Sequence, residues 1–520
     1  MMKILLLLFA FGAYFSFSTD LEDDGVLQQY IELPFPHIDA EFLQVEREYC
    51  GGLKSAAGTK CMINECKESS NRNNSCIYHC PPISKDNYLA FPNNLHRVNH
   101  YLFKGKQTFQ KDFRVLIAGG GTGMNTLYIA EQLNHTNSEI VYVDLSPKST
   151  DIARLRAKYR HLNNIRFFND KIENIPNLNL GKFDFIESTG VIHHTENPLT
   201  SLRVLKDSLK PEGGMSIFVY STNKRKYVYL MQEVMRLMRD DSDSIFDEIA
   251  NLKELGEVLP HLPLGKLMEG PSLSVDMEDN DENLYDIFLH KRDTSFTVPQ
   301  LFQWVKDAGL IFIDWSNPLS AWLIKEISDP FKENGWAADW LVEQLQNDGQ
   351  AGFREIINKL SREDKLAMAD LMFHFKLTNH QFYLSNSQDS KASLDDLDLM
   401  PYFPFEIKHL DKVVNGWLKG VEKPKMVKMV HILGPLFGHS FSLPDKMSLQ
   451  TFYKLIPLKP EKTLREVFRE LKTKTGKSIN KLREEFQNFA AHFEHFLVLG
   501  NKDMGNMPRS NINYVYDIEY

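Results

Sequence analysis

The chain has 520 residues, enough for two to four domains at about 150 residues each. It is 42% hydrophobic and 25% charged, which excludes collagen-like, mucin-like and wholly disordered chains. A net charge of −9 speaks against a protein that coats nucleic acid, although residues 401–480 carry 15 Lys and Arg against 7 Asp and Glu.

Residues 1–18 read as a secretory signal peptide. Lys3 precedes an apolar run from Ile4 to Phe17, and Ser16-Phe17-Ser18 offers small residues at a cleavage site. The run is too short to span a bilayer, and no later stretch is longer, so no stable membrane span is expected after cleavage. The expected location is the secretory pathway, in the ER lumen or outside the cell. An uncleaved anchor that tethers the chain is the alternative. Residues 19–90 hold all the cysteines: Cys50, Cys61, Cys66, Cys76 and Cys80. In an oxidising compartment these predict two disulfides and one spare thiol. Zinc is the rival, because Cys61-x4-Cys66 and Cys76-x3-Cys80 have workable ligand spacing; the expectation is no metal. Asn73-Asn74-Ser75 and Asn134-His135-Thr136 are glycosylation acceptors.

From residue 113 onward, strand and helix patterns alternate. Strands are expected at 113–118, 140–143, 165–168, 183–187, 215–220, 311–315 and 380–385, and helices at 124–133, 152–159, 199–209, 227–237 and from 297. Such alternation implies parallel pairing through crossover helices, a doubly wound α/β sheet with its ligand at the carboxyl ends of the strands. The expected domain spans 91–390. Within it, the loose acidic stretch at about 238–296 reads as an insertion or lid. A polar, serine-rich linker at 386–396 leads to a separate C-terminal unit, 391–520.

The informative segment is Val115-Leu116-Ile117-Ala118-Gly119-Gly120-Gly121-Thr122-Gly123, a strand that runs into glycines and then a helix. The glycines let the backbone turn sharply and approach a ligand. A dinucleotide fingerprint would need Gly or Ala at 124, where Met124 stands, and this disfavours a nicotinamide dehydrogenase. Asp144 ends the second strand, where a carboxylate can accept both ribose hydroxyls. Asp170 follows the third strand, where it could meet an adenine amino group, with Ile172 packing on the base opposite Leu145. Together these describe a nucleoside pocket without a pyrophosphate cradle.

At these residues the chain resembles the class I S-adenosylmethionine (SAM)-dependent methyltransferases. Four motifs agree in order and spacing: the glycine loop, Asp144, Phe183-Asp184-Phe185-Ile186-Glu187-Ser188-Thr189-Gly190-Val191-Ile192-His193-His194, and Leu209-Lys210-Pro211-Glu212-Gly213-Gly214-Met215. The third and fourth look like the small-molecule branch, and the nearest likeness is to bacterial methyltransferases often fused to helical repeats. The resemblance covers residues 110–225, with a weaker likeness through His290 and 296–315. It implies a mostly parallel, seven-stranded Rossmann-like sheet and SAM as cofactor, held by Gly119, Gly121, Thr122, Gly123, Asp144, Leu145, Asp170, Lys171, Ile172 and Glu187. One position departs from the pattern: many members carry an acid two residues before the first glycine, where this chain has Ile117. Because SAM would approach the loop at Gly121, Gly121→Val is expected to abolish binding, while Gly120 is expected to accept Ala or Cys.

Methyl transfer is an in-line displacement that needs alignment, plus a base when the acceptor is a hydroxyl or carbon. His193, His194 and His290 are the candidate bases, with Tyr220, Ser221, Tyr285 and Asp286 as further candidates. Neither an Asn/Asp-Pro-Pro-Tyr segment nor a paired-glutamate loop occurs, so a small-molecule acceptor is expected rather than a nucleic acid or arginine. The C-terminal pattern of helix, helix and short strand resembles a winged helix, a unit that can bind DNA or dock a protein partner, with a merely solvated basic face as the plainer reading. The alternative to an active enzyme is a scaffold or binding protein that keeps the fold without turnover.

Overall fold

The computed structural model describes residues 22–35, 91–240, 243–261, 280–316, 359–372, 379–404 and 446–507, apart from single residues or short gaps, together with shorter pieces at 38, 43, 414–415, 418–419, 426–430, 439–441 and 515–519. The leader and all five cysteines lie outside the described residues. Among the described residues, no helix is long and apolar enough to cross a membrane.

The centre is a parallel sheet built as the alternation predicts. Its strands are β1 (Lys111–Ala118), β2 (Asn137–Asp144), β3 (Ile165–Asn169), β4 (Phe183–Thr189) and β5 (Leu209–Ser221). The short β6 (Ser295–Phe296) pairs in parallel with the end of β5. Two later strands, β7 (Ile311–Trp315) and β8 (His380–Ser385), complete the order β3-β2-β1-β4-β5-β8-β7, and β8 runs antiparallel to both neighbours. The seven strands of this path carry the expected architecture, with β6 as a small eighth member. The chain winds outward through β1, β2 and β3, then crosses to β4 on the other side of β1. The crevice at the carboxyl ends of β1 and β4 is therefore the topological switch point.

The sheet is covered on both faces, so its strands are apolar on both sides. Leu116, Val141, Ile186 and Ile217 belong to one buried cluster, and Val115, Ile117, Ile140 and Phe185 to the other. Crossover helices α3 (Met124–Leu133), α4 (Pro147–Tyr159) and α5 (Pro198–Ser208) join these strands. Two start where polar caps sit before a proline: Ser146 ahead of Pro147, and Asn197 ahead of Pro198. Ahead of the sheet lie α1 (Glu22–Glu32) and α2 (Leu95–Leu102).

The described parts of the acidic stretch after β5 are largely helical. Helices α6 (Thr222–Met238), α7 (Ile245–Val258) and α8 (Asp281–Phe288) share a hydrophobic cluster that includes Val228, Met231, Ile249, Leu252, Leu284 and Phe288. Asp247 and Asp281 sit in the first turns of α7 and α8, where they meet the helix dipole, while Asp286 is buried. Residues 386–396 are packed as well: Ser390 and Ala392 are buried, and the Ala392 N–H donates to the His100 carbonyl at 2.6 Å. The C-terminal helices α9 (Leu464–Thr475) and α10 (Ile479–His492) pack through Val467, Phe468, Leu482 and Phe486. The strand at Val498–Gly500 pairs with Met400–Tyr402, and both pack beside α2 on the sheet's own core.

Candidate functional site

The glycine loop crosses the switch point between β1 and α3. Gly121 has φ +50°, a region that L side chains rarely adopt. Its N–H donates to Asp144 Oδ2 at 2.7 Å, and its carbonyl accepts from the Tyr142 hydroxyl at 2.6 Å. The expectation that Gly120 accepts Ala is corrected here. A Cβ at Gly120 would lie 2.1 Å from Tyr142 Cε2, because that ring must lie flat under the loop to reach the Gly121 carbonyl. Gly120→Ala is expected to lower stability by about 1–3 kcal/mol, as overpacking does. Chemical denaturation measures this, and Tyr142→Leu in the same chain should recover part of the loss.

Asp144 turns back into the loop. Oδ2 receives Gly121 N–H and Oδ1 receives Ser146 N–H at 2.8 Å, and burial still pushes its pKa up to about 6. Asp170 lies one strand away, tied by its N–H to the Asp144 carbonyl at 3.1 Å. Its carboxylate accepts from Lys171 N–H and from Asn174 Nδ2. Ile172 is buried next to it, Leu145 is half-buried, and Lys171 is exposed. Thr122 is buried, and its carbonyl accepts from the Arg156 guanidinium at 2.8 Å. The residues expected to hold a nucleoside thus converge on one crevice.

Glu187, near the end of β4, is 1% exposed. It accepts from Asn125 Nδ2 at 2.9 Å and Asn93 Nδ2 at 3.4 Å, and burial raises its pKa to about 7. No cationic side chain is among these partners. A buried carboxylate with only neutral donors beside a glycine loop fits a ligand that brings positive charge, as SAM does.

A second cluster follows β4. His193, His194, Tyr220, Asp286 and His290 come together from three separate elements. The His194 and His290 rings stack with centroids 3.7 Å apart, and the His193 ring lies 3.9 Å from that of Tyr220. Asp286 accepts from the Tyr220 hydroxyl on one oxygen at 3.1 Å and from the Tyr30 hydroxyl on the other at 3.3 Å. His290 Nδ1 accepts from Arg292 N–H at 3.0 Å, so Nε2 carries the proton and donates to Tyr30 at 2.9 Å. His194 Nδ1 donates to the Arg292 carbonyl at 2.7 Å, which leaves Nε2 as a buried lone pair with no partner. His193 is fully buried with both ring nitrogens unpartnered. Burial, reinforced by neighbouring His194 and Arg225, holds the pKa values of His193 and His290 well below the ordinary imidazole range.

His194, Asp286 and His290 bring potential ligand atoms within 4.8 Å of one another. Both Asp286 oxygens are already bonded to phenols, and the His290 Nε2 carries a proton. The arrangement therefore suits acid–base work around His194 Nε2 better than a metal ion. Of the other candidates, Ser221 is buried and turned to Asp370 at 3.3 Å, and Tyr285 packs in the helical cluster near Lys291.

Tyr30 escaped the sequence reading. It belongs to α1, whose helical spacing of Val26, Tyr30 and Leu33 was the available signal, hidden between a leader and a cysteine-rich stretch. The segment roofs the crevice. Ser146 Oγ donates to the Tyr30 carbonyl at 2.8 Å, Lys148 Nζ to the Glu32 carbonyl at 3.0 Å, and Thr122 N–H to the Phe35 carbonyl at 3.2 Å. Tyr30 thereby links the nucleoside side of the crevice to the histidine cluster.

Comparison with known proteins agrees with this geometry. Residues 116–215 match the family described as "Methyltransferase domain". An uncharacterized protein from Synechococcus sp. is 30% identical over 59% of this chain and 66% of its own length. The non-reducing polyketide synthase ausA of Emericella nidulans is 32% identical over 22% of this chain. This chain spans only 5% of that synthase. Among solved structures, PKMT2 from Rickettsia typhi shares the fold with a TM-score of 0.51 at 16% identity, over 80% of this chain and 76% of its own. Residues 116–215 thus match a methyltransferase domain, carried on a sheet whose fold the chain shares with PKMT2.

Proposed function

We propose that the protein transfers the methyl group of SAM to a small-molecule acceptor seated against His193, His194 and Tyr220. One observation carries this reading: Tyr30 joins the Asp144 crevice to a buried cluster in which His194, its tautomer fixed by the Arg292 carbonyl, keeps Nε2 as an open lone pair. SAM supplies an electrophilic methyl on a sulfonium. Asp144 and Asp170 hold the nucleoside end, and the roof formed by α1 excludes water. For a hydroxyl acceptor, His194 Nε2 would take the acceptor proton as the methyl passes from sulfur to oxygen, the carbon–sulfur bond breaking to leave neutral S-adenosylhomocysteine. The resulting imidazolium keeps its Nδ1–H on the Arg292 carbonyl, which fixes the ring's tautomer and orientation. Asp286, held between two phenols, places negative charge next to that ring.

The test is purified protein with methyl-labelled SAM and a metabolite mixture, followed by recovery of the labelled product. With that product as substrate pair, His194→Gln should lower turnover by about 100-fold or more and leave SAM affinity within about twofold. Equal turnover in the variant removes His194 from the chemistry. Tight SAM binding with no labelled product in any mixture supports a binding protein on the same fold instead.

A further inference from the structure

We propose that Glu187 is the counter-charge for the α-ammonium group of SAM, in a pocket that β4 supplies together with Asn93 and Asn125. The inference rests on the cofactor reading above and adds the atom that Glu187 meets. Its first support is position. In the β1–β4 register Glu187 pairs with Ile117, so both side chains project from the same face of the sheet, beside the glycine loop. Ile117 is apolar and fully buried, so β1 brings no charge to this point. The carboxylate comes instead from the neighbouring strand at the same level.

The second support is an imbalance of donors and acceptors. Asn93 and Asn125 each turn their NH₂ group to Glu187. That choice leaves Asn93 Oδ1 and Asn125 Oδ1 buried without a donor. A buried acceptor without a donor is costly, and so is a buried carboxylate without a cation. An ammonium group carries three N–H donors and one positive charge, and it answers both deficits at once. The sulfonium has charge but no hydrogen to donate, and the nucleoside has donors without charge. Of SAM's groups, only the ammonium meets the chemistry that this pocket lacks. The buried position of Glu187, with its raised pKa, is that of a group waiting for such a partner.

The experiment uses two ligands, S-adenosylhomocysteine and its analogue lacking only the amino group, titrated calorimetrically into the full chain. The unaltered protein should prefer S-adenosylhomocysteine by about tenfold or more, as expected for a charge-assisted hydrogen bond. In Glu187→Gln that preference should collapse, with the des-amino analogue bound as before. Equal binding of the two ligands by the unaltered protein overturns the proposal without any variant. Equal weakening of both ligands in Glu187→Gln also overturns it, because it would make Glu187 a structural residue. Asp144→Ala, which acts on the shared nucleoside, should weaken both ligands alike. If neither ligand binds the unaltered protein, the cofactor reading itself fails.

Discussion

Asp293→Ala is expected to cost about 3–5 kcal/mol of stability, the largest loss of any single polar substitution considered. Arg225 and Asp293 form a buried ion pair whose side chains are only 6% and 3% exposed. The guanidinium also donates to the Ile287 carbonyl at 2.9 Å and lies 3.9 Å over the Tyr220 ring. Asp293 in turn accepts from the Tyr229 hydroxyl at 3.3 Å and Gln232 Nε2 at 3.4 Å. Removing the carboxylate leaves a positive charge in the interior with only the Ile287 carbonyl and the face of the Tyr220 ring against it. The desolvation already incurred is then uncompensated, and this explains why breaking such a pair costs more than never having built it. Urea denaturation followed by tryptophan fluorescence measures the loss. Arg225→Met combined with Asp293→Leu should recover most of it, because the two charges then leave together. A loss below about 1 kcal/mol for Asp293→Ala would show that water reaches Arg225.

Asp144→Ala should weaken SAM binding tenfold or more, from the loss of about 1.5–3 kcal/mol of hydrogen bonding to a charged group. The carboxylate serves two roles at once. It fixes the loop through Gly121 N–H, and it presents its remaining lone pairs to the crevice. Unchanged affinity with an intact fold would remove Asp144 from the site. The same carboxylates set a pH dependence whose sign can be worked out. Asp144 near 6 and Glu187 near 7 both stand above the ordinary carboxyl range, so the ligand-free fold binds more protons than the unfolded chain between about pH 4 and 7. Their contribution to stability is complete below the unfolded pKa and is lost as pH rises through 6 and 7. Ligand donors favour the ionised forms, so SAM affinity should rise over that same window and level off above it. A flat affinity between about pH 5.5 and 8, read by calorimetry, would contradict the sign.

The strands and helices between 111 and 221 were legible because their patterns are strong. The helix at 124–133 and the strands at 311–315 and 380–385 appear where the spacing puts them. The start of β5 was not, because Lys210-Pro211-Glu212-Gly213-Gly214 reads as a turn. In the structure the strand begins at Leu209, with Phe183↔Leu209 and Phe185↔Gly214 spanning an irregularity in the register. Helices α7 and α8 were hidden by the acids that crowd their sequences. In the site, each histidine could be named from local motifs, while the partnerships could not. Arg292 fixes His194 across 98 residues, and Tyr30 reaches His290 across 260. The tolerance assigned to Gly120 failed for a similar reason: the obstacle is a ring on another strand, and spacing within the loop carries no record of it.

The roof over the crevice is made from the beginning of the chain, yet its tyrosine is anchored 256 and 260 residues later, at Asp286 and His290. At a synthesis rate of about 5–20 residues per second, roughly 10–50 s separate the appearance of Tyr30 from that of its anchors. During that interval the nascent sheet can close β1 through β5 while the segment has its contacts to Thr122, Ser146 and Lys148 but not the anchors of the Tyr30 hydroxyl. The Tyr30 hydroxyl therefore gains its anchors only after α8 has emerged, and a chain that stops short of α8 leaves this tie unmade. The order in which its parts emerge thus sets when Tyr30 can tie the crevice to the histidine cluster.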